Sequence, residues 1–326
     1  MKILKASAKA HANIAFIKYW GMIDPDLILP ANSSISMNLS DCFTVTTVEF
    51  SNKYTTDSIE IEASGGKEMV IHHLNRLRKL AHVSLHCKVV SKNSFPSSIG
   101  IASSASGFAA LTLAAVTALE IEINKKELSI LTRLSGSGSA CRSIFDGFVR
   151  WNKGNSSETS YAEELASPDW WSLLDIVVIF DKEKKKVSSQ GGHTLAKTSP
   201  YYHQRLQELS SRIERVEEAI INRDITQLGE TIEEEAQSLH RITTTSTPPI
   251  EYRSEKTKEL CQEIKKWRLN GIEAYYTIDA GSTVHSICEQ NEKEKVMGKM
   301  EQFEGITQII VNKPAMGARV VEEHLF

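Results

Sequence analysis

At 326 residues the chain is about twice the usual single-domain length, so it can bury one large core or two smaller ones. A hydrophobic share of 41%, a charged share of 24%, eight prolines and seventeen glycines exclude the disordered and fibrous classes. A net charge of −3 excludes the broad positive field that nucleic acid or an anionic membrane would need, so any anion must be bound locally.

Residues 1–12 lack the long apolar run of a signal peptide, and no apolar stretch reaches about 18 residues, which predicts a cytoplasmic protein with no membrane partner. Residues 2–17 and 43–50 carry the β-branched and aromatic residues of strands. A helix is predicted over 67–81 and a strand over 83–91. A Ser/Pro/Gly loop over 93–104 and a buried Ala/Leu-rich helix over 106–119 follow. The helical pattern resumes at 128–134, breaks at Gly136 to Gly138, and gives way to extended chain at 147–151 and a polar loop over 152–167. A β-rich run at 174–180 ends in a charged turn, and the candidate domain boundary lies near Trp170. Beyond it, helices are predicted over 202–222, 225–240 and 251–270, strands over 275–278 and 283–288, and a last helix over 293–303. Strands and helices mix in both halves without strict alternation, which predicts an α+β fold.

Cys42, Cys87, Cys141, Cys261 and Cys288 are scattered with no Cys-x-x-Cys spacing, as suits a reducing compartment. His11, His193 and His240 have no metal-site spacing, so their expected roles are structural or solvent-facing. The loop and helix start over 96–111 (PSSIGIASSASGFAAL) offer backbone N–H groups, hydroxyls and a positive helix end to an anion. It is not a Walker A loop, because the Lys-Ser/Thr pair is missing, and a small-residue turn before a packed helix would read the same way.

Pro96, Gly100 and Ala102-Ser103-Ser104-Ala105 resemble the phosphate-binding loop of the galactokinase, homoserine kinase, mevalonate kinase and phosphomevalonate kinase superfamily. Asn13-Ile14-Ala15 with Lys18-Tyr19-Trp20-Gly21, the Gly/Ser segment 136–143 and Asp279-Ala280-Gly281 narrow the resemblance to the mevalonate diphosphate decarboxylase family. Residues 30–36, Ser188-Ser189 and 246–249 add to it. The resemblance implies two α+β lobes, residues 1–170 and 171–326, with the active site in the cleft between them. It also implies ATP and Mg2+: the tertiary 3-hydroxyl of a phosphorylated mevalonate is phosphorylated, and loss of phosphate and carbon dioxide leaves an alkene. Relatives are often homodimers.

By resemblance Asp279 is the carboxylate that takes the hydroxyl proton, a role that suits a poor nucleophile. Arg142, a planar and permanently charged fork, would hold the substrate carboxylate, with Asn13 supporting it. Lys18 and Tyr19 are expected on the substrate side of the cleft, with Trp20 a packing residue. Ser137, Ser139 and Ser189 would meet the substrate phosphates. Gly100, Ala102, Ser103, Ser104 and Ser106 would meet ATP, with Ser104 on the metal.

Two positions depart from the family pattern. Diphosphate-using relatives typically follow Lys-Tyr-Trp-Gly with lysine, where this chain has Met22, and place arginine after the Ser189 equivalent, where it has Gln190. Each change removes a cation from the outer phosphate, and a charge-assisted contact is worth roughly 1.5–3 kcal/mol. The leading expectation is therefore ATP-dependent decarboxylation of mevalonate 5-phosphate to isopentenyl phosphate. The alternatives are a mevalonate 5-diphosphate decarboxylase, an ATP-independent mevalonate 3,5-bisphosphate decarboxylase, and a non-catalytic small-molecule-binding member.

Overall fold

The computed structural model describes residues 4–62, 66–96, 103–180 and 187–326. The chain opens on β1 (Leu4–Ile17), turns through the short hairpin β2 (Met22–Asp24) and β3 (Leu29–Pro30), and returns as β4 (Ser34–Phe50). The strand predicted at 43–50 is only the second half of β4. The polar first half, Ser34, Ser36 and Asn38, was hard to read as strand because both of its faces are buried: Ile35, Met37 and Leu39 enter an apolar core while the polar side chains turn to buried partners.

β5 (Ser58–Ile61), α1 (Lys67–Ala81) and β6 (Cys87–Asn93) follow. β6 starts later than the predicted strand because His82 closes α1 in the left-handed conformation and the Leu85 carbonyl accepts from Arg78 Nε. α2 (Ser103–Ala118) leads to α3 (Lys125–Arg133), which begins earlier than predicted because Asn124 and Glu127 form a reciprocal capping box. A 3₁₀ turn over Gly138–Ile144 precedes β7 (Phe148–Trp151) and β8 (Ala162–Ala166). The latter corrects the predicted loop over 152–167; it is a half-exposed edge strand, paired Arg150 with Glu163, so its charges hide its strand character.

β9 (Leu173–Ile179), α4 (Ser189–Leu195), α5 (Tyr202–Asn222), α6 (Ile225–Thr245) and α7 (Glu255–Leu269) come next. β10 (Ala274–Thr277), β11 (Val284–Glu289), α8 (Lys293–Glu301), β12 (Gln308–Asn312) and β13 (Arg319–Val321) complete the chain. A seven-stranded sheet runs β13-β1-β4-β6-β5, with β7 and β8 continuing from the other half of β4. A four-stranded sheet runs β10-β11-β9-β12. β13 pairs with β1, so the chain end rejoins the first sheet from beyond the boundary expected near Trp170.

Ala6, Ala8 and Ala10 of β1 meet Ala109, Ala110 and Ala114 of α2, and small side chains on both sides let the helix lie close to the sheet. Every residue of β9 is buried: Leu173, Val177 and Ile179 join the core of α5 and α6, while Leu174, Ile176 and Val178 pack with α7 and α8. The helix pair α5/α6 therefore fills the space between the two sheets, since Ile14, Phe16 and Met37 of the first sheet share that core. The fold is α+β, and no helix among the described residues is long and apolar enough to cross a membrane.

One buried ionic cluster ties this helix pair to the first sheet. Glu235 of α6 is fully buried, contacts both Arg205 and Arg212 of α5, and accepts the Lys18 backbone N–H at 3.1 Å. Removing one partner of such a cluster leaves a buried charge uncompensated. We expect Glu235→Ala to lower the unfolding free energy by about 3–5 kcal/mol in urea titrations. A loss below about 1 kcal/mol would show that solvent reaches Arg205.

Candidate active site

The end of β1, the first turn of α2, residues 136–142, α4 and the turn after β10 surround one cleft of about 830 Å³. Lys18, Tyr19, Met22, Ser103, Ser104, Ser137, Ser139, Arg142, Ser189, Gln190 and Asp279 all line it. The sequence prediction thus converges for these residues, though they span from β1 to the turn after β10. Gly100 and Ala102 lie outside the described residues. Asn13 is buried behind the wall, and Ser106 departs from its expected place. The Ser106 side chain is fully buried, with Oγ bonded to Thr44 Oγ1 at 2.7 Å and to the Ser103 carbonyl, so it does not reach the cleft.

Lys18 leaves β1 with its backbone fixed by Glu235 and by Asn32, whose Nδ2 donates to the Lys18 carbonyl. Its buried ammonium donates to the Ala15 carbonyl and to Asp279 Oδ1, both at 2.6 Å. Asp279 sits where β10 ends and Gly281 N–H donates back to its carbonyl, and its side chain remains 23% exposed. Burial raises the Asp279 carboxyl, but Lys18, then His285 and Arg142, outweigh it and hold the group below the ordinary aspartate value. Burial lowers the Lys18 ammonium, and Asp279 opposes that fall. The pair is an ionised carboxylate whose Oδ1 is taken by Lys18, while Oδ2 has no hydrogen-bond partner among the described residues.

Arg142 lies in the 3₁₀ turn with 3% exposure. Its Nε donates to Ser36 Oγ at 2.9 Å and to Asn13 Oδ1 at 3.2 Å, Nη1 to Ser34 Oγ at 2.5 Å, and Nη2 to Asn13 Oδ1 at 3.0 Å. Asn13 is itself oriented by Ser143 Oγ, which accepts from its Nδ2 at 2.9 Å. These partners are neutral and use one N–H on each terminal nitrogen, and among the described residues no carboxylate contacts the guanidinium, so its remaining N–H groups can serve an anion. Ser34 and Ser36 of β4 were missed as members of this group. Their signal was the alternation with Ile35 and Met37, which places both serines on one face of the strand.

Ser103, Ser104 and Gly107 bring the first turn of α2 to the cleft, where a helix N-terminus carries positive potential. Ser137 Oγ donates to Ser104 Oγ at 3.1 Å, tying the helix start to the Gly/Ser segment. Ile61, Met69, Val70, Val89, Phe108 and Leu111 form an apolar side of the same cleft, unassigned in sequence. Trp20 packs as expected, buried against Tyr252. His193 departs from the structural or solvent-facing role: it lines the cleft beside Tyr19.

Residues 10–162 match the family model of the diphosphomevalonate decarboxylase-like N-terminal domain, and residues 175–322 that of the mevalonate 5-diphosphate decarboxylase C-terminal domain. The diphosphomevalonate decarboxylase of Debaryomyces hansenii is 34% identical, over 93% of this chain and 84% of its own. That of Danio rerio is 35% identical, over 83% of this chain and 73% of its own. Mevalonate diphosphate decarboxylase from Staphylococcus aureus superposes with a TM-score of 0.93 at 35% identity, covering 98% of this chain and 99% of its own. A complex of MDDEF with MVAPP, AMPPCP and magnesium superposes with a TM-score of 0.92 at 36% identity, covering 99% of this chain and 100% of its own.

Proposed function

The chain belongs to the diphosphomevalonate decarboxylase family, and we propose that it is an ATP-dependent carboxy-lyase converting mevalonate 5-diphosphate to isopentenyl diphosphate. The observation that carries this reading is the ionised Asp279, held by Lys18, sharing one cleft with the Arg142 fork and the serine-lined start of α2.

Asp279 Oδ2 accepts the proton of the substrate's 3-hydroxyl while that oxygen takes the γ-phosphoryl group of ATP. A loose phosphoryl transfer asks for orientation more than basicity, so a carboxylate of low pKa suffices. Lys18 keeps the carboxylate ionised and turned toward the hydroxyl. Arg142, aimed by Asn13, Ser34 and Ser36, holds the substrate carboxylate. The C3–O bond then breaks to release phosphate, the bond to the carboxylate carbon breaks to release carbon dioxide, and its electron pair becomes the alkene. Ser137, Ser139, Ser189 and Tyr19 receive the 5-phosphoryl tail.

The first turn of α2 with Ser103 and Ser104 suits the ATP phosphates, and the apolar side near Val89 and Phe108 suits a purine. Among the described residues no group of three His, Cys, Asp or Glu side chains stands together, so Mg2+ would draw on phosphate oxygens, water and the Ser104 hydroxyl. There it would supply neutralisation of phosphate charge. We assign the start of α2, with its expected phosphate-binding loop, to the lobe of residues 1–170 and Asp279 to that of 171–326, from which β13 returns to the first sheet.

The relatives named above are all diphosphate enzymes, so the comparisons favour the diphosphate alternative over the leading expectation from sequence. One observation favours the monophosphate as a second reading: Met22 and Gln190 both line the cleft and neither carries charge. Steady-state release of carbon dioxide and ADP, measured on mevalonate 5-diphosphate and 5-phosphate with and without ATP, decides between them. A kcat/KM for the monophosphate exceeding that for the diphosphate would sink the main reading, and turnover without ATP would sink the phosphorylation step. Met22→Lys combined with Gln190→Arg should shift the preference toward diphosphate by about tenfold or more. An unchanged ratio would place the tail elsewhere.

A further inference from the structure

Three consecutive residues, Tyr19, Trp20 and Gly21, close on one imidazole. The His193 ring centroid lies 4.1 Å from that of Tyr19 and 4.7 Å from that of Trp20, each at a 35° tilt. Its Nδ1 accepts the Gly21 N–H at 3.0 Å. A ring that accepts at Nδ1 is neutral and carries its hydrogen on Nε2. Glycines make the grip possible. Gly21 takes φ +92°, where an added Cβ would lie 2.1 Å from Tyr202 Oη, and a Cβ on Gly192 would lie 2.5 Å from the Trp20 ring. Burial, with repulsion from Arg205, holds the His193 pKa down to about 3, so the ring is uncharged near neutral pH.

This fixed ring lines the cleft together with the uncharged side chains of Met22 and Gln190. His193 follows Ser189 by one turn of α4, on the same face, and both line the cleft with Met22 and Gln190. Among the described residues lining the cleft, the basic side chains other than histidine are Lys18 and Arg142. Lys18 is committed to Asp279 and the Ala15 carbonyl, and Arg142 is anchored by Asn13, Ser34 and Ser36. Among the described residues, an anion entering between Tyr19 and α4 therefore meets side chains without a free charge.

We propose that His193 is a specificity-determining residue whose Nε2–H donates to a phosphoryl oxygen of the substrate's 5-tail, as a donor of fixed position and no charge. The assignment rests on the phosphorylated-mevalonate reading. It extends that reading by naming what replaces charge beside Met22 and Gln190. A donor pre-set by stacking and by one backbone bond loses little freedom on binding, so it discriminates by position.

The paired variants His193→Asn and His193→Gln test it. Asn can still accept from Gly21 through Oδ1 but does not reach the Nε2 position, whereas Gln can place an N–H there. Steady-state assays on both phosphorylated substrates, with ATP varied separately, should show the substrate KM of His193→Asn raised roughly ten- to a hundredfold, with kcat and the ATP KM within about twofold. His193→Gln should recover most of that loss. Inhibition by unphosphorylated mevalonate should be unchanged in both variants, because it lacks the tail.

A rise in substrate KM of less than about twofold in His193→Asn overturns the proposal. So does an equal loss on ATP or on unphosphorylated mevalonate, which would mark a cleft-wide distortion. Should His193→Asn not fold, as judged by thermal melting, the substrate KM of His193→Gln decides: near wild type supports the donor role and a rise matched in ATP KM refutes it. If the unaltered protein turns over neither phosphorylated substrate, the parent reading fails instead, whatever the variants do.

Discussion

Asp279→Asn is expected to lower kcat by roughly a thousandfold or more while ATP affinity stays within about threefold. The asparagine amide oxygen can still accept from the Lys18 ammonium, so the position of the side chain survives and what is lost is the proton acceptor. The proposed seat of the ATP phosphates is the start of α2, formed by Ser103 and Ser104, and no contact of Asp279 with either serine is formed. Lys18 loses the anion that opposes the effect of its burial, so its pKa falls further in the variant. The pH profile supplies a second check. Because the folded-state pKa of Asp279 is depressed, the stability it contributes is present above its unfolded value near about 3.9 and disappears as pH falls through the lower folded value. The carboxylate is therefore ionised throughout the neutral range, and the wild type should show no acidic limb of kcat from this group above about pH 5. Near-normal turnover in Asp279→Asn, measured as carbon dioxide release, would remove the residue from the chemistry.

How far these elements could be read beforehand follows from how much of their environment is local. α1 and α5 were predicted to the residue because their apolar residues recur at helical spacing, and their left-handed C-caps at His82 and Arg223 end the pattern sharply. β12 and β13 were not predicted. Each is short, and β13 exists because β1, some three hundred residues earlier, offers it an edge from Ser7 to Lys9. α4 was missed because Ser-Gln-Gly-Gly carries no helical propensity; it forms where Ser188 caps it and Gly192 lets the Trp20 ring pack close.

The candidate site divides along the same line. Asp279, Arg142 and Asn13 were legible through the motifs that carry the family resemblance. The support of Arg142 by Asn13 was expected from the same resemblance, but the ion pair of Lys18 with Asp279 was not, because the two stand 261 residues apart. No local pattern announces an ion pair of that kind. Ser106 shows the converse error. Ser104 and Ser106 are two residues apart on a helix and point to nearly opposite sides, so both could not face one phosphate. The fold turns Ser104 to the cleft and Ser106 to Thr44. A loop reading of that stretch hid the distinction, and the helix beginning at Ser103 exposes it.

Arg142 carries the second large effect, because its surroundings were built for a guanidinium and for little else. Four hydrogen bonds from three nitrogens to Asn13, Ser34 and Ser36 fix the plane of the fork, and none of these partners is charged. A buried cation without an anion in contact is costly in the empty protein, and a bound carboxylate would relieve that cost. Arg142→Ala should therefore lower kcat/KM for the phosphorylated substrate by roughly a thousandfold, through both turnover and substrate affinity, with the ATP KM little changed. Arg142→Lys separates charge from geometry. An ammonium keeps the charge but cannot satisfy Asn13, Ser34, Ser36 and a substrate carboxylate together, so it should restore less than about a tenth of the lost activity. Nearly full activity in the lysine variant would mean that charge alone suffices and the fork is incidental. A defect confined to ATP affinity in the alanine variant would move Arg142 to the nucleotide, and the serines of β4 would then orient a phosphate contact in place of a carboxylate clamp.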